Sequence, residues 1–145
     1  MIVEFQNEFR WLSNFWHFES PLIYQGLHYL TNEHFYVAMK TKDLNTRYAV
    51  SNHPIKGLKR FGNTFPLRDD WDDIKINVML FGLRFKFSKA NPTLRYNLLQ
   101  TADMYIQEGN RWGDMFWGVC MKTGEGENNL GRLLMQVREE IRNES

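Results

Sequence analysis

The chain has 145 residues, of which 43% are hydrophobic and 15% aromatic, enough to bury one substantial core and too few for two ordinary domains. A formal net charge of +1 excludes a strongly basic nucleic-acid surface or an acidic tail as the organising feature. A lone cysteine, Cys120, excludes an intrachain disulfide and fits a reducing compartment. With no basic, apolar leader and no run near the roughly 20 apolar residues of a membrane span, the expectation is a cytoplasmic protein with no membrane partner.

In chain order, Ile2 to Phe5 alternates weakly as a short strand would. Arg10 to Trp16, aromatic with polar residues between, reads as a packed loop. Pro21 to Tyr24 and Leu27 to Tyr29, separated by Gln25-Gly26, predict a hairpin. Thr31 stands where an N-cap belongs, ahead of a helix carrying Glu33, His34, Phe35, Ala38 and Met39. Asn45 to Val50 predicts a second helix, and His53-Pro54 a third that Gly62 ends. The longest periodic segment follows Pro66 to Asp73, with Trp71, Ile74, Val78, Phe81 and Phe85 forming one inward face. Asn91-Pro92 opens another helix with Leu94 and Leu98 inward. Met104 to Glu108 and Phe116 to Met121 are strand candidates joined through Gly109-Asn110, and Leu130, Leu133, Leu134, Val137 and Ile141 mark the last helix. Helices dominate, so the class is a compact, mainly helical α+β domain spanning the chain.

The stretch most like a built site is Trp112 to Gly131. Two Trp-Gly pairs bracket Asp114, and a glycine-rich loop then runs to Asn128 at the head of the last helix. Glycine permits close backbone approach, tryptophan offers a flat face, and a free helix start can hold an anion. The loop lacks the spacing of a Walker or Rossmann phosphate loop, so a tight turn explains it equally well. His17, His28, His34 and His53 lack the spacing that would put two imidazoles on one helix face for zinc. Singly, Glu33 reads as an exposed first-turn acid, Trp71 as core and Asp114 as a turn residue.

Together the residues resemble a known family. Arg10-x-Leu12-Ser13-Asn14-Phe15, Glu33-His34-Phe35 with Ala38 and Lys40, Leu67-Arg68-x-Asp70-Trp71, Lys86-Phe87, Glu108-Gly109-Asn110-x-Trp112-Gly113-Asp114-x-x-Trp117-Gly118 and Gly126-x-Asn128-x-Leu130-Gly131 follow the order of the NADAR family. Val37 and Met39, where the family often has Gln, and Asn63, where it often has Arg, depart from it and bear on substrate identity. So does Val119-Cys120, where some members carry acidic or glycine-rich residues.

The resemblance implies an N-glycosidase acting on a phosphoribosyl or ADP-ribosyl compound, either a riboflavin-pathway aminouracil ribotide or ADP-ribosylated guanine. It needs no metal and no other cofactor. The implied catalytic residues are Glu33, Trp71 and Asp114. For substrate binding, Arg10, Lys40 and Arg68 could pair with phosphate, Asn14 and Asn128 with ribose or phosphate oxygens, and Trp71 or Trp117 could stack on the base, with Phe15 and Gly118 completing the set. The partner is then a nucleotide-like small molecule or an ADP-ribosylated nucleic acid. A non-catalytic module binding NAD or ADP-ribose would share the pocket. On the first reading Trp71 is a stacking platform, partly open to that pocket.

Overall fold

The computed structural model describes residues 1–144. Strands β1 (His17–Tyr24) and β2 (Leu27–Thr31) form the expected antiparallel hairpin, in register Tyr24 with Leu27 and Leu22 with Tyr29. Both Gln25 and Gly26 have positive φ, 49° and 79°, the geometry that lets a two-residue turn follow the strand twist. Leu22 and Tyr29 point into the core while Ile23 faces out. Between His17 and Leu22 the register slips, and Pro21, which has no N–H for a ladder, falls in that irregular stretch.

β2 runs directly into α1 (Asn32–Ala38), and Thr31 does cap it: its hydroxyl accepts the His34 N–H at 3.1 Å. Every residue of α1 is buried. It lies against α2 (Leu44–Ser51), α3 (Leu58–Phe61) and α4 (Trp71–Lys86), which makes it the axis of the fold. A helix enclosed in this way turns its first-turn acid inward, so Glu33 is a buried carboxylate and not the exposed acid that helix starts usually carry. α3 departs from expectation at its start. The chain bends through His53 to Gly57, whose φ of 79° precedes Leu58, so Pro54 belongs to the preceding turn and the helix begins only beyond it.

The inward face of α4 also differs from the predicted one. Trp71, Met79, Gly82, Leu83 and Lys86 are buried, Ile74, Val78 and Phe85 are half-buried, and Phe81 is 50% exposed. Apolar periodicity placed Phe81 inward with its apolar neighbours and gave no place to Lys86. In the structure the helix packs on both α1 and α6, and Phe81 covers a flank by stacking on Phe35 at 5.4 Å.

The first helical turn is also unpredicted: Asn7–Leu12 is a 3-10 helix, which takes in Arg10 to Leu12 of the stretch expected as a packed loop. α5 (Pro92–Gln100) starts as read, with Pro at its first turn. Asn91 just ahead of it accepts the Glu19 and Ser20 N–H groups, both at 2.8 Å, and so ties β1 to the helix. The predicted strands shrink. Ile2 makes one parallel bridge with Ile106, and the paired residues are β3 (Gly109–Asn110) and β4 (Val119–Cys120), running parallel. Gly109-Asn110, expected as the turn, is itself a strand. α6 (Asn129–Arg142) buries Leu130, Leu133, Leu134, Val137 and Ile141, the predicted stripe, and closes the core.

Lys86 is fully buried and its ammonium donates to the Ser13 carbonyl at 2.8 Å. Burial pushes its pKa down to about 7, below the roughly 10.4 of an unfolded lysine. Between those values the unfolded chain binds more protons, so stability contributed by this group rises with pH from about 7 upward, and the penalty is complete below 7. Melting curves of wild type and Lys86→Met should therefore converge or cross as pH rises from about 7 to 10, wild type gaining on the variant. Parallel curves across that range would remove this account of the buried amine.

Candidate functional site

A cavity of about 340 Å³ opens between the Ser13–Phe15 loop, α1, and the segment from Glu108 to Trp117. Its chemistry starts with α1. Glu33, Tyr36 and, just past the helix end, Lys40 project from one side of that segment into the cavity. The Glu33 backbone N–H donates to the Asn14 carbonyl at 3.0 Å, which fixes the neighbouring loop to the helix start. Burial raises the pKa of the Glu33 carboxyl above the usual carboxylate range, and the Lys40 and Lys59 ammonium groups offset this only in part. The same burial lowers Lys40, against the pull of Glu33. The Tyr36 hydroxyl is pushed well above its ordinary range by desolvation, with a hydrogen bond to the Trp117 side chain opposing the shift.

The opposite wall is organised by asparagines. Asn110 Oδ1 accepts the Asp114 N–H at 3.0 Å, and its Nδ2 donates to the Asp114 carbonyl at 2.8 Å and to Glu108 Oε2 at 3.0 Å. Asp114 Oδ1 accepts the N–H groups of Phe116 and Trp117 at 3.1 and 3.0 Å, which folds the loop back so that Trp117 reaches the cavity. Glu108 is pushed up to about 7, first by burial and then by the adjacent Asp114 charge, with the Asn110 hydrogen bond and Lys59 opposing. Three carboxylates, two ammonium groups and the rings of Phe15, Tyr36, Trp112 and Trp117 thus share one cavity.

Of the residues predicted from sequence, Glu33, Asp114, Asn14, Phe15, Lys40 and Trp117 line this cavity. Others do not, each for a visible reason. Trp71 is only 5% exposed and packs edge-on against Tyr36 at 5.0 Å, so the partly open stacking platform is corrected to a core residue behind the wall. Arg68 forks onto Asp70 at 2.6 and 3.2 Å and lines a separate shallow groove with Thr41 and Asp43. Arg10 is exposed, its guanidinium over the Trp16 ring at 5.7 Å. Asn128 makes no side-chain cap on α6. Its Oδ1 accepts the Glu108 N–H at 2.9 Å and its Nδ2 donates to the Ile106 carbonyl at 2.9 Å, so its amide is spent inside the protein. Gly118 lies beneath Glu108 and not in the lining: a Cβ there would sit 1.8 Å from Glu108 Oε2.

Sequence reasoning missed Glu108, Tyr36, Trp112 and Lys59. Glu108 and Trp112 stood in the motif without a role, and Tyr36 follows Glu33 by one helical turn, which is a readable signal. Lys59 reaches the site from α3, and nothing in its sequence context marks it.

This is a small α+β fold whose acidic, cationic and aromatic side chains converge on one nucleotide-sized cavity. Residues 3–142 match the NADAR domain, and the chain belongs to that family. It is 34% identical over 124 residues to N-glycosidase YbiA of Escherichia coli (strain K12), covering 83% of this chain and 76% of that one. The NMR structure of E. coli YbiA superposes with a TM-score of 0.85 at 32% identity, covering 99% of this chain and 86% of that chain. Riboflavin biosynthesis protein VVA0006 of Vibrio vulnificus (strain YJ016) is 35% identical over 133 residues, 90% of this chain, but the match spans only 35% of that protein. The chain thus corresponds to about a third of that longer relative. Among the described residues, no helix is long and apolar enough to cross a membrane.

Proposed function

We propose that the chain hydrolyses the C–N glycosidic bond of a phosphoribosyl or ADP-ribosyl compound, with a riboflavin-pathway aminouracil ribotide as the first substrate to try. The observation that carries this reading is the convergence of Glu33 and Asp114 with Lys40 and Lys59 in an aromatic-walled cavity. The names of the relatives, an N-glycosidase and riboflavin biosynthesis proteins, support the reaction class and point to the ribotide.

In such a reaction the C–N bond breaks with its electron pair leaving on nitrogen. Water supplies the oxygen that bonds to the sugar carbon, one of its protons passes to a carboxylate, and the departing nitrogen takes up a proton. Positive charge grows on the sugar as the bond lengthens, and a buried carboxylate placed against it stabilises that charge most where water is excluded. Glu33 and Asp114 divide the charge-stabilising and water-orienting tasks. Lys40 and Lys59 face the phosphate, and Trp117 with Phe15 or Trp112 takes the base by stacking.

Incubation with the aminouracil ribotide, NAD, ADP-ribose and ADP-ribosylated guanosine, followed by mass spectrometry, tests this. A released free base names the substrate. If every compound returns intact while one raises the melting temperature, the chain is a binding module, since a ligand that binds only the native state stabilises it. For Asp114→Asn, turnover should fall by about 10², because the amide oxygen can still accept the Phe116 and Trp117 N–H groups but the negative charge is gone. Turnover within a few-fold of wild type would confine Asp114 to shaping the loop.

A further inference from the structure

We propose that Glu108 is the acid that protonates the departing nitrogen, a role resting on the hydrolase reading above. Two hydrogen bonds, a glycine and the cavity set its place. Asn128 Oδ1 holds its backbone N–H, Asn110 Nδ2 holds Oε2, Gly118 leaves the room its carboxyl occupies, and Glu108 lines the same cavity as Glu33 and Asp114.

The orientation of Asn110 decides which oxygen carries the proton. Because the Asp114 N–H donates to Asn110 Oδ1, the amide nitrogen is the end that faces Glu108, and an amide nitrogen can only donate. Oε2 is therefore an acceptor in both protonation states, and the acidic hydrogen belongs on Oε1. No described residue takes a hydrogen bond at Oε1. The carboxylic acid is thus held by one oxygen and offers the other.

The groups acting on it fit a proton donor. Burial disfavours its anion most, the Asp114 charge beside it adds to that, and the Asn110 hydrogen bond and Lys59 oppose both in part, so the acid form persists toward neutrality. Glu33, Lys40 and Tyr36 are the other titratable groups of the cavity. When the C–N bond breaks, Oε1 gives its proton to the nitrogen that receives the bonding pair, and the resulting carboxylate regains a proton from solvent after release.

The test is leaving-group dependence, measured on wild type and Glu108→Gln with two compounds. One is the N-ribotide named above, the riboflavin-pathway aminouracil ribotide. The other is 4-nitrophenyl ribofuranoside 5-phosphate, whose phenolate departs without protonation. A lost general acid should cost about 10² or more with the N-ribotide and only a few-fold with the nitrophenyl compound. The wild-type rate for the N-ribotide should also fall on the alkaline side with a midpoint near the Glu108 value of about 7, and that limb should be absent from the variant. Equal losses on both compounds, or none on either, would overturn the acid role while leaving the hydrolase intact. Were wild type to cleave neither, the hydrolase reading would fall and this role with it. A melting temperature matching wild type for Glu108→Gln keeps these outcomes separate from misfolding.

Discussion

Replacing Glu33 by Gln should lower turnover by about 10³ while leaving the melting temperature unchanged or slightly higher. The two halves of that result have one cause. Glu33 sits on the enclosed helix α1, and no described residue donates a hydrogen bond to its carboxylate. Burial raises its pKa in the folded protein, so the anion is disfavoured there relative to the unfolded chain. The sign follows from linkage: the folded state binds more protons, and stability from this group is full below the usual glutamate value and declines as pH rises through the raised one. Gln removes that decline, so the stability difference should favour the variant increasingly as pH rises. The same unpaired anion is what a cationic sugar would compensate, so its removal should be felt in the rate. Turnover and melting temperature measured between pH 4 and 8 check both halves. A variant that keeps its turnover would take Glu33 out of the mechanism.

The parts of the fold that were legible in sequence are those set by local chemistry. The Gln25-Gly26 turn, the Thr31 cap and the Leu130 to Ile141 stripe each depend on residues a few positions apart, and each is where it was expected. What failed depends on distant partners. Periodicity could not place Lys86 inside the core, because what accommodates its ammonium is the carbonyl of Ser13, 73 residues away in sequence. Asn128 looked like a cap or a ligand, yet its amide is used on Glu108 and Ile106. The site shows the same division. Glu33, Asp114 and Trp117 were found through motifs, whereas Lys59 enters by the folding of α3 against α1, which no spacing encodes.

Trp71→Ala is the prediction on which sequence and structure differ most, and it should act on stability. The indole is buried at the first turn of α4 and meets the Tyr36 ring edge-on, which also meets Trp117 edge-on at 5.6 Å. Truncation of a buried tryptophan costs about 3–5 kcal/mol, which in a domain of this size lowers the melting temperature by roughly 6–20 °C. Trp71→Phe keeps an aromatic edge for Tyr36 and should lose a smaller part of that. Because Tyr36 stands in the cavity and Trp71 behind it, kinetics taken well below the melting temperature should change by less than about ten-fold for the Phe variant, with the change passing through Tyr36. Thermal unfolding and steady-state rates on both variants make the comparison. If Trp71→Phe melts with wild type yet loses turnover by 10² or more, the indole takes part in the reaction directly and α4 must open toward the cavity when substrate binds.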